Sequence, residues 1–167
     1  HLHFTGGEAS LVRDLPEMVR MAKAHGVGCV SITSNGTQSP ETYTRLVEAG
    51  IDEIRISVDD AHLTEVEGDT LQPGTRGRAI ETVRALGKLR RAGHSFFLIL
   101  NTVVERRNRQ RLPELVDLLL SLDPDDLKLI TSVDEKGDLG AFAEAGDVVA
   151  RLEKVLTAYP LDFDLSY

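Results

Sequence analysis

The amino-acid sequence predicts an α/β fold of five or six parallel strands with outer helices. Three observations carry this. Five times a short, β-rich apolar run ends in a polar tip and passes into a segment with apolar residues at the 3.6 period. The links between successive runs have helical length, which means parallel strands joined by right-handed crossovers. At 167 residues and 41% hydrophobic content the chain is the size of one domain with a substantial core. Two architectures fit: an open doubly wound sheet, or part of a (β/α) barrel. A complete eight-unit barrel takes about 250 residues, so a barrel here is a partial one.

The elements follow in order. A first strand over roughly 1–5 runs into Gly6-Gly7-Glu8. The glycines permit a sharp turn and close approach of a ligand to the backbone, and Glu8 sets a carboxylate there that suits an ammonium group. A helix is predicted over about 14–25, where Leu15, Met18, Val19 and Ala22 share a face. Asp14 is its expected N-cap, Pro16 falls in its first turn and Gly26 is its stop. Strand two, 29–33, ends in Ser34-Asn35-Gly36. Ser39 is the expected cap of the next helix, Pro40 its first residue and Gly50 its stop. Strand three covers 54–58, with Asp59-Asp60 at its tip.

The stretch 61–77 is less regular, with Pro73-Gly74 marking a loop. A helix over about 78–92 carries Ile80, Val83 and Leu86 and ends at Gly93. Strand four, Phe96 to Val104, is almost wholly apolar apart from Asn101-Thr102 and reads as buried on both faces. A helix over 111–122 is broken by Asp123-Pro124-Asp125. Strand five is 127–130, a polar loop with Gly137 and Gly140 follows, and the last helix is firmest over 147–158. The strict alternation of 161–165 makes it a candidate sixth strand.

Composition removes several classes of function. A net charge of −8, with acids spread along the chain, speaks against a nucleic-acid surface, and 5% aromatics without Trp speaks against base stacking. No run approaches the ~20 apolar residues of a membrane span. The single cysteine, Cys29, allows no internal disulfide and no multi-cysteine metal site. It reads as a small buried hydrophobe. Neither a G-x-G-x-x-G after a strand nor a G-x-x-x-x-G-K-[ST] is present, so nucleotide-phosphate binding of the usual kinds is unsupported, and there is no G-x-S-x-G elbow. The chain begins with His1 inside a strand, which reads as a piece cut from something longer, its targeting segment lost.

In either architecture ligands bind at the carboxyl ends of the strands. Those ends are Thr5-Gly6-Gly7-Glu8, Ser34-Asn35-Gly36, Ser57-Val58-Asp59, Asn101-Thr102-Val103 and Lys128-Leu129-Ile130. Each carries a polar group in an otherwise apolar strand, and their convergence on one rim suggests a polar ligand.

In this order and spacing the tips resemble those of the radical S-adenosylmethionine (radical SAM) family, over roughly residues 1 to 131. The resemblance implies a partial TIM-like (β/α) barrel, a single domain over 1–167 that holds about strands 2 to 6 of the family barrel. It implies that Gly6, Gly7 and Glu8 bind the methionine amino group of SAM. Ser34 and Asn35 form the next tip, and Ser57 and Asp59 lie near ribose and carboxylate. Asn101 and Val103 line ribose and adenine, and Leu129 and Ile130 contact adenine. Tyr43-x-x-Leu46-x-x-x-Gly50 and Leu86-x-x-Leu89-x-x-x-Gly93 resemble the family's helix endings.

For the intact protein the resemblance implies an enzyme in which a [4Fe-4S] cluster cleaves SAM reductively. The resulting 5′-deoxyadenosyl radical abstracts hydrogen from a small-molecule or peptide substrate. A donor such as flavodoxin or ferredoxin supplies the electron, and the compartment is the cytoplasm. The family's C-x-x-x-C-x-x-C loop is absent here, so the cluster ligands are expected upstream of His1, and no catalytic residue is assignable in this chain.

Other residues have plainer readings beside sharper ones. His62 and Lys128 are candidates for the substrate side, against a loop histidine and an edge ion pair. His1 and His3 face one side of their strand and fit a barrel-lining role better than a metal site, and Arg106 to Arg111 reads as a solvated loop. Glu8, Asp59 and Lys128 also suit a non-radical barrel lyase or isomerase, in which a Schiff-base lysine would be trapped by borohydride. A cluster-less binding module is the third reading.

Overall fold

The structure, a computed structural model, describes residues 1–59, 77–105, 108–131 and 146–159. Strands and helices alternate: β1 (Leu2–Phe4), α1 (Leu15–Ala24), β2 (Val30–Ser34), α2 (Pro40–Glu48), β3 (Glu53–Ser57), α3 (Gly77–Arg91), β4 (Phe97–Val104), α4 (Leu112–Ser121), β5 (Asp126–Thr131) and α5 (Gly146–Leu156). Short 3-10 turns at Ala9–Leu11 and Arg109–Arg111 precede α1 and α4. The stretches 61–76 and 132–145 and the candidate sixth strand at 161–165 lie outside the described residues.

All four strand pairs are parallel, and the sheet order is β1-β2-β3-β4-β5. A doubly wound sheet reverses direction at a switch point, whereas strands laid down in unbroken sequence order make a barrel wall. The partial (β/α) barrel is therefore the architecture.

Register separates two faces. Val30, Ile32, Ile54, Ile56, Leu98 and Leu100 point to the helices and are fully buried. They share one core with Val19 of α1, Leu46 of α2, Val83 of α3 and Leu119 of α4. The other face lines the barrel lumen in layers. His3, Ser31, Glu53 and Phe97 form one, then Thr33, Arg55, Ile99 and Asp126, then Ser57, Asn101 and Lys128. Packed barrels fill this space with branched aliphatics, and here most positions are polar.

Three expectations are corrected. Strand four is not buried on both faces along its whole length: among the described residues five strands form an open trough, which leaves Phe97 61% and Val103 41% exposed at the two ends of the lumen side of β4, while Ile99 between them is buried. Cys29 is only partly buried and precedes β2 rather than lying in it. Asp14 and Ser39 stand at the N-cap positions, but neither side chain bonds the helix backbone. Asp14 has φ −93 and ψ 10, outside the extended conformation that aims a capping oxygen at the first turn.

Two aspartates outside the helices share one task. Asp52 accepts the Val30 N–H at 2.7 Å and pairs with Lys23 of α1 at 2.8 Å. Asp125 accepts the Leu98 N–H at 2.7 Å and pairs with Arg90 of α3 at 2.7 Å. Each thus ties the amino end of the preceding strand to the helix that precedes it.

Candidate functional site

The turn after β1 is built around Glu8, which caps the 3-10 turn. Its Oε1 accepts from Ser10 N–H at 3.0 Å, from the Ser10 hydroxyl at 2.5 Å and from the Ser34 hydroxyl at 2.7 Å. Its Oε2 accepts from Asn35 N–H at 2.7 Å. Burial alone would push the carboxyl up. The hydrogen bonds from Ser10, Asn35 and Ser34 outweigh it and hold Glu8 below its ordinary value. A carboxylate offers about four lone-pair positions, two on each oxygen. Oε1 is saturated, and Oε2 retains one.

Ahead of Glu8 the backbone is open. Gly6 has φ +139, which an L side chain rarely adopts, and a Cβ at Gly6 or Gly7 would meet nothing within 4 Å. The next tip is held just as firmly. Asn35 Oδ1 accepts from the backbone and hydroxyl of Thr37 at 3.0 and 2.7 Å, leaving its Nδ2 free to donate. Gly36 is a forced glycine: its φ is +71, and a Cβ would stand 2.9 Å from Ile56 Cγ2 and 3.0 Å from Ala79 Cα.

The structure sorts the other predicted residues by face. Ser34 has the parity of Ile32 and is 2% exposed, so its hydroxyl is committed to Glu8 and to Tyr43 behind it. Ser57 and Asn101 are register partners on the lumen side, and Lys128 sits beside Asn101 on β5. Asn101 Oδ1 is buried with no partner among the described residues. That is an acceptor facing the lumen that a donor must satisfy. Asp59 is exposed at its tip. Val103 and Ile130 are partners on the lumen side, whereas Leu129 pairs in register with Thr102 on the other face. Thr102 Oγ1, buried on that helix side, also lacks a partner among the described residues.

Of the two substrate-side candidates, Lys128 lies 3.8 Å from Asp126 and is nearly half exposed, the loose edge pair of its plainer reading. His62 falls outside the described residues. His1 and His3 line the lumen, both on Ser31 Oγ, at 2.8 and 2.7 Å. Among the described residues no group of three metal-ligating side chains converges. Sequence reasoning missed Ser10 and Tyr43. A tyrosine on the apolar face of a helix is the signal that could have found the second, since its hydroxyl needs a buried partner. A cavity of about 470 Å³ lies at the opposite, amino end of β4, among Arg90, Arg91, His94 and Asp125.

The residues present fit SAM at this rim. They offer an open glycine turn beside an anionic oxygen for an ammonium, and an orphaned acceptor for a hydroxyl three strands away. Three strand spacings amount to about 14 Å, which suits a ligand with separate amino-acid and nucleoside ends. They do not fit an iron–sulfur cluster, because Cys29 is the chain's one thiol.

Comparison with known proteins gives the same direction. The profile of the Radical SAM superfamily matches residues 1–119. The chain is 30% identical over 128 residues to a PqqA peptide cyclase of Rhodopseudomonas palustris, covering 77% of this chain and 33% of that protein. It is 36% identical over 130 residues to a probable GTP 3′,8-cyclase of Sulfolobus acidocaldarius, covering 75% and 39%. Among solved structures, the HMG-CoA lyase of Brucella melitensis superposes with a TM-score of 0.53 at 16% identity, over 95% of this chain and 54% of that one. The Bacillus subtilis HMG-CoA lyase gives 0.52 at 12% identity, over 89% and 47%. At such identity the likeness is one of fold, and the fold is the (β/α) barrel.

Proposed function

The chain belongs to the radical SAM superfamily, and from that premise we propose that its strand tips hold S-adenosylmethionine for a hydrogen-abstracting enzyme. In this reading Gly6, Gly7 and Glu8 take the ammonium end, with Ser34 bracing Glu8 and Asn35 bordering it. Ser57, Asp59 and Asn101 take ribose and carboxylate, and Val103 and Ile130 lie against adenine, with Leu129 turned to the helix side of β5. The observation that carries it is Asn101 Oδ1, a buried acceptor without a partner among the described residues, on the rim where the family places the nucleoside.

SAM held by these residues would supply the reactive chemistry, and Cys29, the one thiol of this chain, does not make a site for a [4Fe-4S] cluster. The chain's own residues bind and orient. Glu8 stays ionised to meet the ammonium, and the apolar residues at the β4 and β5 tips keep water from one end of the site. The chain spans about a third of the curated relatives it matches, so substrate and partners belong to the whole protein. One relative is named for a peptide and another for GTP, which favours a peptide or small-molecule substrate. Lys128, on the lumen face, is the candidate to meet it, and His62 is a second candidate from the sequence. A flavodoxin or ferredoxin is the fitting electron donor, and the cytoplasm the fitting compartment. Among the described residues no helix is long and apolar enough to cross a membrane.

Calorimetric titration of SAM tests the reading. Asn101→Ala should bind about tenfold more weakly than wild type, the order of one lost buried hydrogen bond, with an unchanged melting temperature. Equal affinity in the two proteins would remove Asn101 from the site.

A further inference from the structure

Behind the ammonium end of the rim lies a buried hydroxyl network that the reading above does not use. Tyr43 of α2 is fully buried, and its hydroxyl sits 2.7 Å from Ser34 Oγ. Ser34 Oγ also stands 2.7 Å from Glu8 Oε1 and accepts the Gly36 N–H at 3.2 Å. Ser10 Oγ lies within 3.5 Å of the Tyr43 hydroxyl and bonds Glu8 Oε1 as well.

Proton counting fixes the direction of these bonds. An ionised carboxylate only accepts, so Ser34 and Ser10 each give their one proton to Glu8. Ser34 has none left for Tyr43, so Tyr43 donates to Ser34. Burial pushes the Tyr43 phenol above its ordinary value, which keeps that proton in place at neutral pH. The Ser34 and Ser10 protons converge on Oε1, and Tyr43 fixes the direction of the first. Oε2 is left to the Asn35 N–H and to one further donor.

We propose that Tyr43 is a positioning residue of this site: by donating to Ser34 it commits the Ser34 proton to Glu8 and braces the carboxylate between the tips of β1 and β2, with Oε2 open to a ligand ammonium. Tyr43 touches no ligand and acts wholly through Ser34 and Glu8. Without its hydroxyl the Ser34 rotor is no longer locked, Oε1 loses a donor, and the carboxylate is free to swing off the Asn35 amide. The role of Oε2 rests on the reading of this rim as a SAM site, whereas the brace itself does not.

The test therefore has two arms on the same chain, comparing wild type with Tyr43→Phe, which keeps the ring that fills the core. In the ligand-free arm, amide hydrogen exchange and carbon-13 titration of the Glu8 carboxyl are followed by NMR. Tyr43→Phe should lose roughly tenfold protection at Asn35 and titrate Glu8 at higher pH, while the amides of Ile32, Ile54 and Leu98 keep theirs. Ser34→Ala should reproduce both effects. Unchanged Asn35 protection and Glu8 titration would overturn the brace. Loss of protection across the whole sheet would also overturn it, reducing Tyr43 to a fold-stabilising residue.

In the second arm SAM is titrated calorimetrically, and Tyr43→Phe should weaken binding roughly threefold to tenfold. A wild-type chain with the brace intact that takes up no SAM would overturn the cofactor role through the site reading. Equal SAM affinity in the two proteins would overturn it through Tyr43.

Discussion

Glu8 joins the tips of β1 and β2 by side-chain bonds that local sequence does not dictate. Its carboxyl is held below the ordinary glutamate value, so its contribution to stability is present above that value and is lost as pH falls through the depressed folded value. Wild type should therefore lose melting temperature on acidification across that window more steeply than Glu8→Gln. Parallel melting curves would show that the carboxylate has no such role. Gly36 makes a separate demand. Gly36→Ala must fit a methyl 2.9 Å from Ile56 Cγ2 at φ +71, and should destabilise by about 1–3 kcal/mol in a urea melt.

At this scale the sequence was informative where contacts are local. Gly6-Gly7-Glu8 announces an open turn with an acid because all three lie side by side. Tyr43 and Ser10 were not legible, since they meet across 33 positions and only the crossover from β1 through α1 and β2 to α2 brings them together.

Among the elements, Asp52 and Asp125 repeat one joint two units apart. Each occupies the residue just before a strand, accepts an N–H from the first two residues of the preceding strand, and holds a cation of the preceding helix. Losing such a joint strands a buried N–H and unpairs a cation. Asp52→Ala and Asp125→Ala should each lower stability by about 1–3 kcal/mol. The two carboxylates share no side-chain partner, so the double mutant should be near the sum. A strongly non-additive double mutant would show that the two units are coupled.

Helices were readable from period and stop residues: Gly26, Gly50 and Gly93 all terminate helices with positive φ. Their caps were not, because residue type places Asp14 and Ser39 at the right position without aiming the oxygen. The faces of β4 were misread for a different reason. A run of apolar residues has no period to say which side lies under helices, and only the open trough of five strands leaves Phe97 and Val103 uncovered.

Over the whole molecule, sequential parallel pairing gathers all five tips on one rim, so motifs far apart in the chain share a site. Their order was visible in the sequence, and their facing was not: the register sends Ser34 and Leu129 to the helix side while Asn101, Val103 and Ile130 remain on the lumen side. The most direct test is a SAM titration of the isotopically labelled chain followed through its backbone amides. The account predicts shifts confined to the carboxyl ends of the strands, at Gly6, Gly7, Asn35, Asn101 and Val103, with Gly28, Asp52 and His94 at the opposite end unmoved. Shifts centred on the cavity around Arg90 and His94, or none at any tip, would contradict it.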